Sequence, residues 1–156
     1  AGCASVPPAT QGDAAPQIAV PPQPSSRLLQ QQRGERIAQG ARAQLGAPYR
    51  YGGADPLGFD CSGLVRYVYG REGLLLPRTA AAQQQQAQPV DAAQLQPGDL
   101  LFYRSGAAAV DHVAIYVGEG LMIHAPRSGR VVEQRRVDDA WYARRFVAAG
   151  RAIPEL

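Results

Sequence analysis

The chain has 156 residues and a formal net charge of +3, and 46% of its residues are apolar. That length supports one domain with its own core and is too short for two ordinary ones. No apolar run approaches the ~18 residues of a membrane-spanning helix, and all 16 basic residues are arginine, which excludes Schiff-base and P-loop lysine chemistry.

The chain opens "AGC", with Cys3 followed by "ASVPPATQGDAAPQIAVPPQPSS". Proline, alanine and small polar residues dominate this stretch. It has too little apolar surface to offset its ordering entropy, so residues 1–33 read as an extended linker. The Ala-Gly-Cys start resembles the end of a bacterial lipoprotein signal, which makes Cys3 a candidate acyl-bearing residue. The two cysteines, Cys3 and Cys61, also allow one disulfide, against which the flexible surroundings of Cys3 argue.

A single domain is expected over 34–156. Ile37, Ala38, Ala41 and Leu45 recur at helical spacing, and Gly46 and Pro48 supply a stop, so a helix is predicted over 34–45. "APYRYGGADPLGFD" is a shaped loop. Cys61, Leu64, Val65 and Val68 then mark one stripe of a second helix, with Asp60 as its N-cap and Gly70 and Gly73 at its end. "TAAAQQQQAQ" predicts a short surface helix. After the turn "QPGD" the period changes to two, and strands are predicted over 100–104, 112–117, 121–125, 130–134 and 144–153. Helices first and consecutive strands later make the class α+β with an antiparallel sheet.

Cys61 is the first candidate for chemistry. A thiol must become thiolate to attack, and a helix N-terminus favours that anion. The alternative is a buried, inert cysteine packing as a small hydrophobe. The chain has only two histidines, His112 and His124. If Glu119 centres the "GEG" turn between them, Ala114 faces His124 and both imidazoles project from one face as diagonal neighbours, roughly 7–8 Å apart at the backbone. A two-residue turn would put them on opposite faces. The stripe containing Cys61 must face the sheet, so the thiol can meet one histidine while the second orients the first. That is the nucleophile, base and orienter set of a cysteine hydrolase. Two packed histidines, or a zinc site of Cys61, His112 and His124, remain open on pattern alone, the wide spacing disfavouring the metal.

Arginines gather late, at Arg127, Arg130, Arg135, Arg136, Arg144, Arg145 and Arg151. They read as a solvated basic face in preference to a site for an anionic polymer. Aromatic residues are not interleaved with them, so no nucleic-acid partner is expected.

With these residues in place, the sequence resembles the NlpC/P60 family of bacterial cell-wall peptidases. "GAPYRYGG" (46–53), "GFDCSGLVRYVY" (58–69), "LPRTAAAQ" (76–83), "LQPGDLLFY" (95–103) and "DHVAIYVGEGLMIHAP" (111–126) carry the resemblance in order. It implies a papain-like α+β fold with N-terminal helices packed on a curved antiparallel sheet. It implies Cys61 as nucleophile, His112 as base, His124 as orienting residue and the Tyr49 hydroxyl as oxyanion donor, with Tyr51 packing instead. In some members the residues matching Asp60 and Ser62 recognise a stem-peptide amine; a helix cap and a solvated first-turn serine explain these two equally well. The implied substrate is peptidoglycan, the implied reaction amide hydrolysis through a thioester, with no cofactor and a monomeric protein. A papain-like amidase or acyltransferase, or a non-catalytic wall-binding module, are the alternatives. With Cys3 acylated and followed by Ala4, the expected location is the periplasm, tethered to the outer membrane.

Overall fold

A computed structural model describes residues 1–10, 12, 14–106 and 108–155. The described residues up to position 25 are exposed and carry no helix or strand; positions 11 and 13 of the expected linker lie outside the described residues.

Helix α1 spans Ser26–Arg42, so the linker ends about eight residues earlier than position 33. Ser25 is the cap, its Oγ accepting the Leu28 N–H at 3.2 Å. The first turns escaped the periodicity because their inward residues are not large and apolar. Gln30 is buried and donates its amide to the Ile153 carbonyl at 2.6 Å, and a Cβ on Gly34 would lie 2.2 Å from the Pro97 carbonyl oxygen. Ile37, Ala38 and Ala41 then supply the apolar face.

Helix α2 (Cys61–Arg71) follows a small β1–β2 ribbon, Ala54–Asp55 with Gly58–Phe59. Helix α3 (Ala80–Gln86) is only partly superficial, since Ala80 and Gln83 are buried. The main sheet has six strands in the order β3-β8-β4-β5-β6-β7. Their ranges are β3 Gln88–Val90, β4 Leu100–Tyr103, β5 His112–Gly118, β6 Leu121–His124, β7 Glu133–Arg136 and β8 Phe146–Arg151. Every neighbouring pair is antiparallel, and the fold is the expected α+β. A short helix, α4 (Ala140–Ala143), precedes β8.

Two strands also depart from the sequence reading, β3 as an addition and β7 by its start. Strand β3 is a short edge containing Pro89, which weakens any strand signal. The strand expected over 130–134 starts instead at Glu133. Val131 and Val132 pair with the loop near Ala47 and Pro48 and not with β6: the Val132 N–H donates to the Ala47 carbonyl at 2.8 Å.

Alternation along β5 divides the interior. Val113, Ile115 and Val117 face α1 and α2, in one cluster with Leu64, Val65 and Val68. Ala114 lies on the other face, in a smaller cluster with Leu101, Tyr103 and Met122. The site forms where the start of α2 meets the start of β5.

Candidate active site

Asp60 builds the start of α2. Its Oδ1 accepts the Gly63 N–H at 2.7 Å, as an N-cap does, and its Oδ2 accepts the Gly52 N–H at 3.1 Å. One carboxylate therefore ties the helix to the preceding loop. Arg78 grips the same carboxylate with both guanidinium nitrogens, at 3.0 and 2.6 Å, and donates to Ser62 Oγ at 2.9 Å. Ser62 is buried and so is not the solvated residue that was one reading of it.

Cys61 lies at this junction as a free thiol, and Cys3 is also free and exposed, so no disulfide joins them. The Cys61 Sγ is 3.9 Å from the Asp111 carbonyl oxygen. Burial pushes the thiol up from its ordinary range; the Val113 N–H opposes this and the Asp60 charge adds to it. The expected acidification by the helix start is thus outweighed, because the same burial that aims the thiol strips it of water. A cleft of about 440 Å³ opens over Cys61, with Tyr49, Asp60, Arg78 and Asp111 among its walls. Burial, then the nearby Cys61, raises the Tyr49 phenol, so it remains an O–H donor facing the cleft. Tyr51 is 89% exposed and does not pack.

The two histidines meet. His112 Nε2 and His124 Nδ1 are 2.8 Å apart. The Ile115–Ile123 and Tyr116–Met122 pairs set the register that a turn centred on Glu119 requires, and Glu119 adopts φ 56° between two left-handed glycines. Burial, then the His124 charge, lowers His112 to about 3. Burial, then Arg135 and Arg130, lowers His124 to about 4. Both rings are therefore neutral at pH 7.

Their placement differs from expectation in one respect. By alternation both rings lie on the face away from α2, where His124 meets the Tyr142 ring at 5.0 Å and His112 the Tyr103 ring at 5.9 Å. Cys61 lies on the α2 side, beside the Asp111 backbone one residue before His112. Among the described residues no hydrogen bond joins the thiol to the ring. At rest the thiol and both imidazoles are neutral.

Two site residues escaped sequence reasoning. Arg78 precedes the Thr79 cap of α3 and shows no sign in the sequence of its contact with Asp60. Glu133 sits in register with His124 on β7, and its Oε1 is 3.2 Å from His124 Nε2. Its cross-strand position would follow from the register, had the strand been placed correctly. Beyond His112 a second pocket of about 400 Å³ is lined by Arg127, Arg130, Arg145, Trp141 and Tyr142. Several late arginines are ion-paired and not simply solvated: Arg130 and Arg135 with Glu133, Arg136 with Asp138, and Arg151 with the buried Asp99.

Residues 46–151 match the model of the NlpC/P60 family. The chain belongs to the NlpC/P60 family. It is 40% identical over 115 residues to the murein DD-endopeptidase MepH of Escherichia coli, covering 70% of this chain and 42% of that protein. It is 39% identical over 112 residues to a gamma-D-glutamyl-L-lysine dipeptidyl-peptidase of Bacillus cereus, covering 70% of this chain and 34% of that one. The crystal structure of an NlpC/P60 family protein from Bacillus cereus superposes with a TM-score of 0.74 at 36% identity, over 78% of this chain and 40% of the other. The chain thus spans less than half the length of these NlpC/P60 relatives.

Proposed function

We propose that this chain is a cysteine endopeptidase that hydrolyses an amide bond in peptidoglycan stem peptides or their cross-links. The observation that carries the reading is the free Cys61 at the start of α2, beside the strand whose first residue is His112, itself joined to His124. The names of the family relatives support the substrate class.

In this reading the Cys61 sulfur attacks the scissile carbonyl carbon as its proton passes to His112. The Tyr49 hydroxyl and backbone N–H groups at the start of α2 donate to the oxyanion. The C–N bond breaks, His112 returns the proton to the departing amine, and a thioester remains. Water then attacks the thioester with His112 again as base. The pocket beyond His112 carries Arg127, Arg130 and Arg145, and in this reading it takes the carboxylates of a stem peptide. Asp60 and Ser62 line the cleft beside Arg78, and in this reading they contact a stem-peptide amine as well as Arg78. Action on the wall places the chain outside the cytoplasm, and acylation of Cys3 would tether it there; metabolic labelling with an alkyne fatty acid tests the tether.

The decisive experiment incubates the protein and Cys61→Ala with purified peptidoglycan and defined muropeptides, with products read by mass spectrometry. New amine and carboxylate ends are expected for the native chain alone. Cleavage by Cys61→Ala would overturn the reading.

A further inference from the structure

We infer that Glu133 is a positioning residue of this site, fixing the protons of both histidines so that His112 presents its Nδ1 lone pair to the thiol. The inference rests on the peptidase reading for its catalytic consequence and on hydrogen-bond geometry for the rest.

His124 is fully buried, and both of its ring nitrogens are engaged, Nε2 by Glu133 Oε1 at 3.2 Å and Nδ1 by His112 Nε2 at 2.8 Å. A carboxylate only accepts hydrogen bonds, and a neutral imidazole has one donor and one acceptor nitrogen. Glu133 therefore places the His124 proton on Nε2. His124 Nδ1 must then accept, so His112 donates from its own Nε2. The nitrogen left with a lone pair is His112 Nδ1, which has no hydrogen-bond partner among the described residues. Each step follows from the one before, and the chain of donors ends on Glu133 as its terminal acceptor.

The carboxylate is held for this task. Arg135 Nε donates to Oε1 at 3.1 Å and Arg130 to Oε2 at 3.3 Å, while cross-strand pairing with His124 fixes its approach. The other charged or titratable groups about the pair are Asp139 and Tyr142, beside Arg135, and Asp111, next to His112. None of these is placed to accept from His124 Nε2. Without Glu133, His124 is free to carry its proton on Nδ1 and donate to His112, which moves the lone pair away from Cys61.

The test reads the imidazole tautomers by 15N NMR on the resting full chain, and steady-state cleavage of a muropeptide by Glu133→Ala and the near-isosteric Glu133→Gln. Both histidines of the native protein should be Nε2–H tautomers. Glu133→Ala should lose that preference and lower kcat about 10–100-fold with KM within about twofold, the scale seen when a partner that orients a functional histidine is removed. Glu133→Gln, whose amide oxygen still accepts, should keep the tautomer and recover most of kcat. An Nδ1–H tautomer for His124 in the native protein overturns the inference, and this reading needs no variant to fold. So does a Glu133→Ala protein that keeps both Nε2–H tautomers or keeps kcat within twofold. Cys61→Ala, assayed alongside, separates this outcome from failure of the peptidase reading, because the tautomers are read without substrate.

Discussion

His112 Nε2 and His124 Nδ1 stand 2.8 Å apart with their rings nearly perpendicular, at 76°. That geometry ties the orientation of the proposed base to a fully buried neighbour. His112→Ala removes the proton acceptor and should lower kcat by about 10³-fold or more. His124→Ala leaves the acceptor but frees its ring, and should lower kcat about 10²-fold with a smaller change in KM. Steady-state kinetics on one defined muropeptide checks both, and equal losses in kcat for the two variants would contradict the division of roles.

The thiol provides a second measurement. Burial raises Cys61 above the ordinary thiol range, and His112 is too weakly basic at rest to hold the proton. Alkylation by iodoacetamide should therefore rise with pH through the alkaline range, with its midpoint above that of a free thiol. A low-pH plateau, the mark of a preformed thiolate–imidazolium pair, would contradict this. Cys3 is exposed and reacts as well, so the rate is read on Cys61 by peptide mass mapping.

Much of this was legible in the sequence. The period change after position 100 placed β4, β5 and β6, because a half-buried strand must alternate. The central Glu119 of the turn fixed the register and with it the histidine contact. Other features depend on contacts between distant segments. The start of α1 was hidden because a glutamine and a glycine occupy its inward positions. The pairing of Val131 and Val132 with residues 46–48 displaced β7 by three residues and concealed Glu133. The raised thiol was missed for a different reason: a helix N-terminus is a local feature, whereas desolvation depends on everything packed around it.

Arg78 joins α2 to the cleft wall through Asp60 and Ser62, and its loss should act on both stability and the thiol. The Asp60 side chain is 14% exposed and that of Arg78 35%, so the pair is more valuable than an open surface bridge. Arg78→Ala should cost on the order of 1 kcal/mol. It also leaves the Asp60 charge uncompensated beside Cys61, which should shift the alkylation profile to still higher pH. Arg78→Lys should retain the direction of charge but not the two-pronged grip, and should fall between the two.

Gly63 sets propensity against packing. Alanine in a helix is ordinarily better than glycine by about 1 kcal/mol. Here a Cβ would lie 1.9 Å from the Gly53 carbonyl oxygen, which is backbone and cannot swing aside. Gly63→Ala should therefore destabilise by on the order of 3 kcal/mol. The displaced segment is the loop that carries Tyr49, so kcat should fall in the fraction that remains folded. Thermal melts of Gly63→Ala and of the exposed control Gly70→Ala separate the two effects, since a Cβ on Gly70 meets nothing within 4 Å. A Gly63→Ala protein as stable as the control would refute the close approach.

The histidine pair also sets the response to acid. His112 and His124 fall to about 3 and about 4 in the folded chain, against an ordinary value near 6.5. Below that ordinary value the unfolded chain binds protons that the folded chain refuses. Stability is therefore intact above about pH 6.5 and is lost progressively as pH falls toward 4 and then 3, by on the order of a few kcal/mol for the pair. Tm measured from pH 7.5 down to 4 should fall along this window. His124→Gln removes one titrating group while retaining a polar side chain, so its Tm, even if lower at pH 7, should decline less steeply between pH 6.5 and 4. A slope equal to that of the native chain would place the acid sensitivity elsewhere.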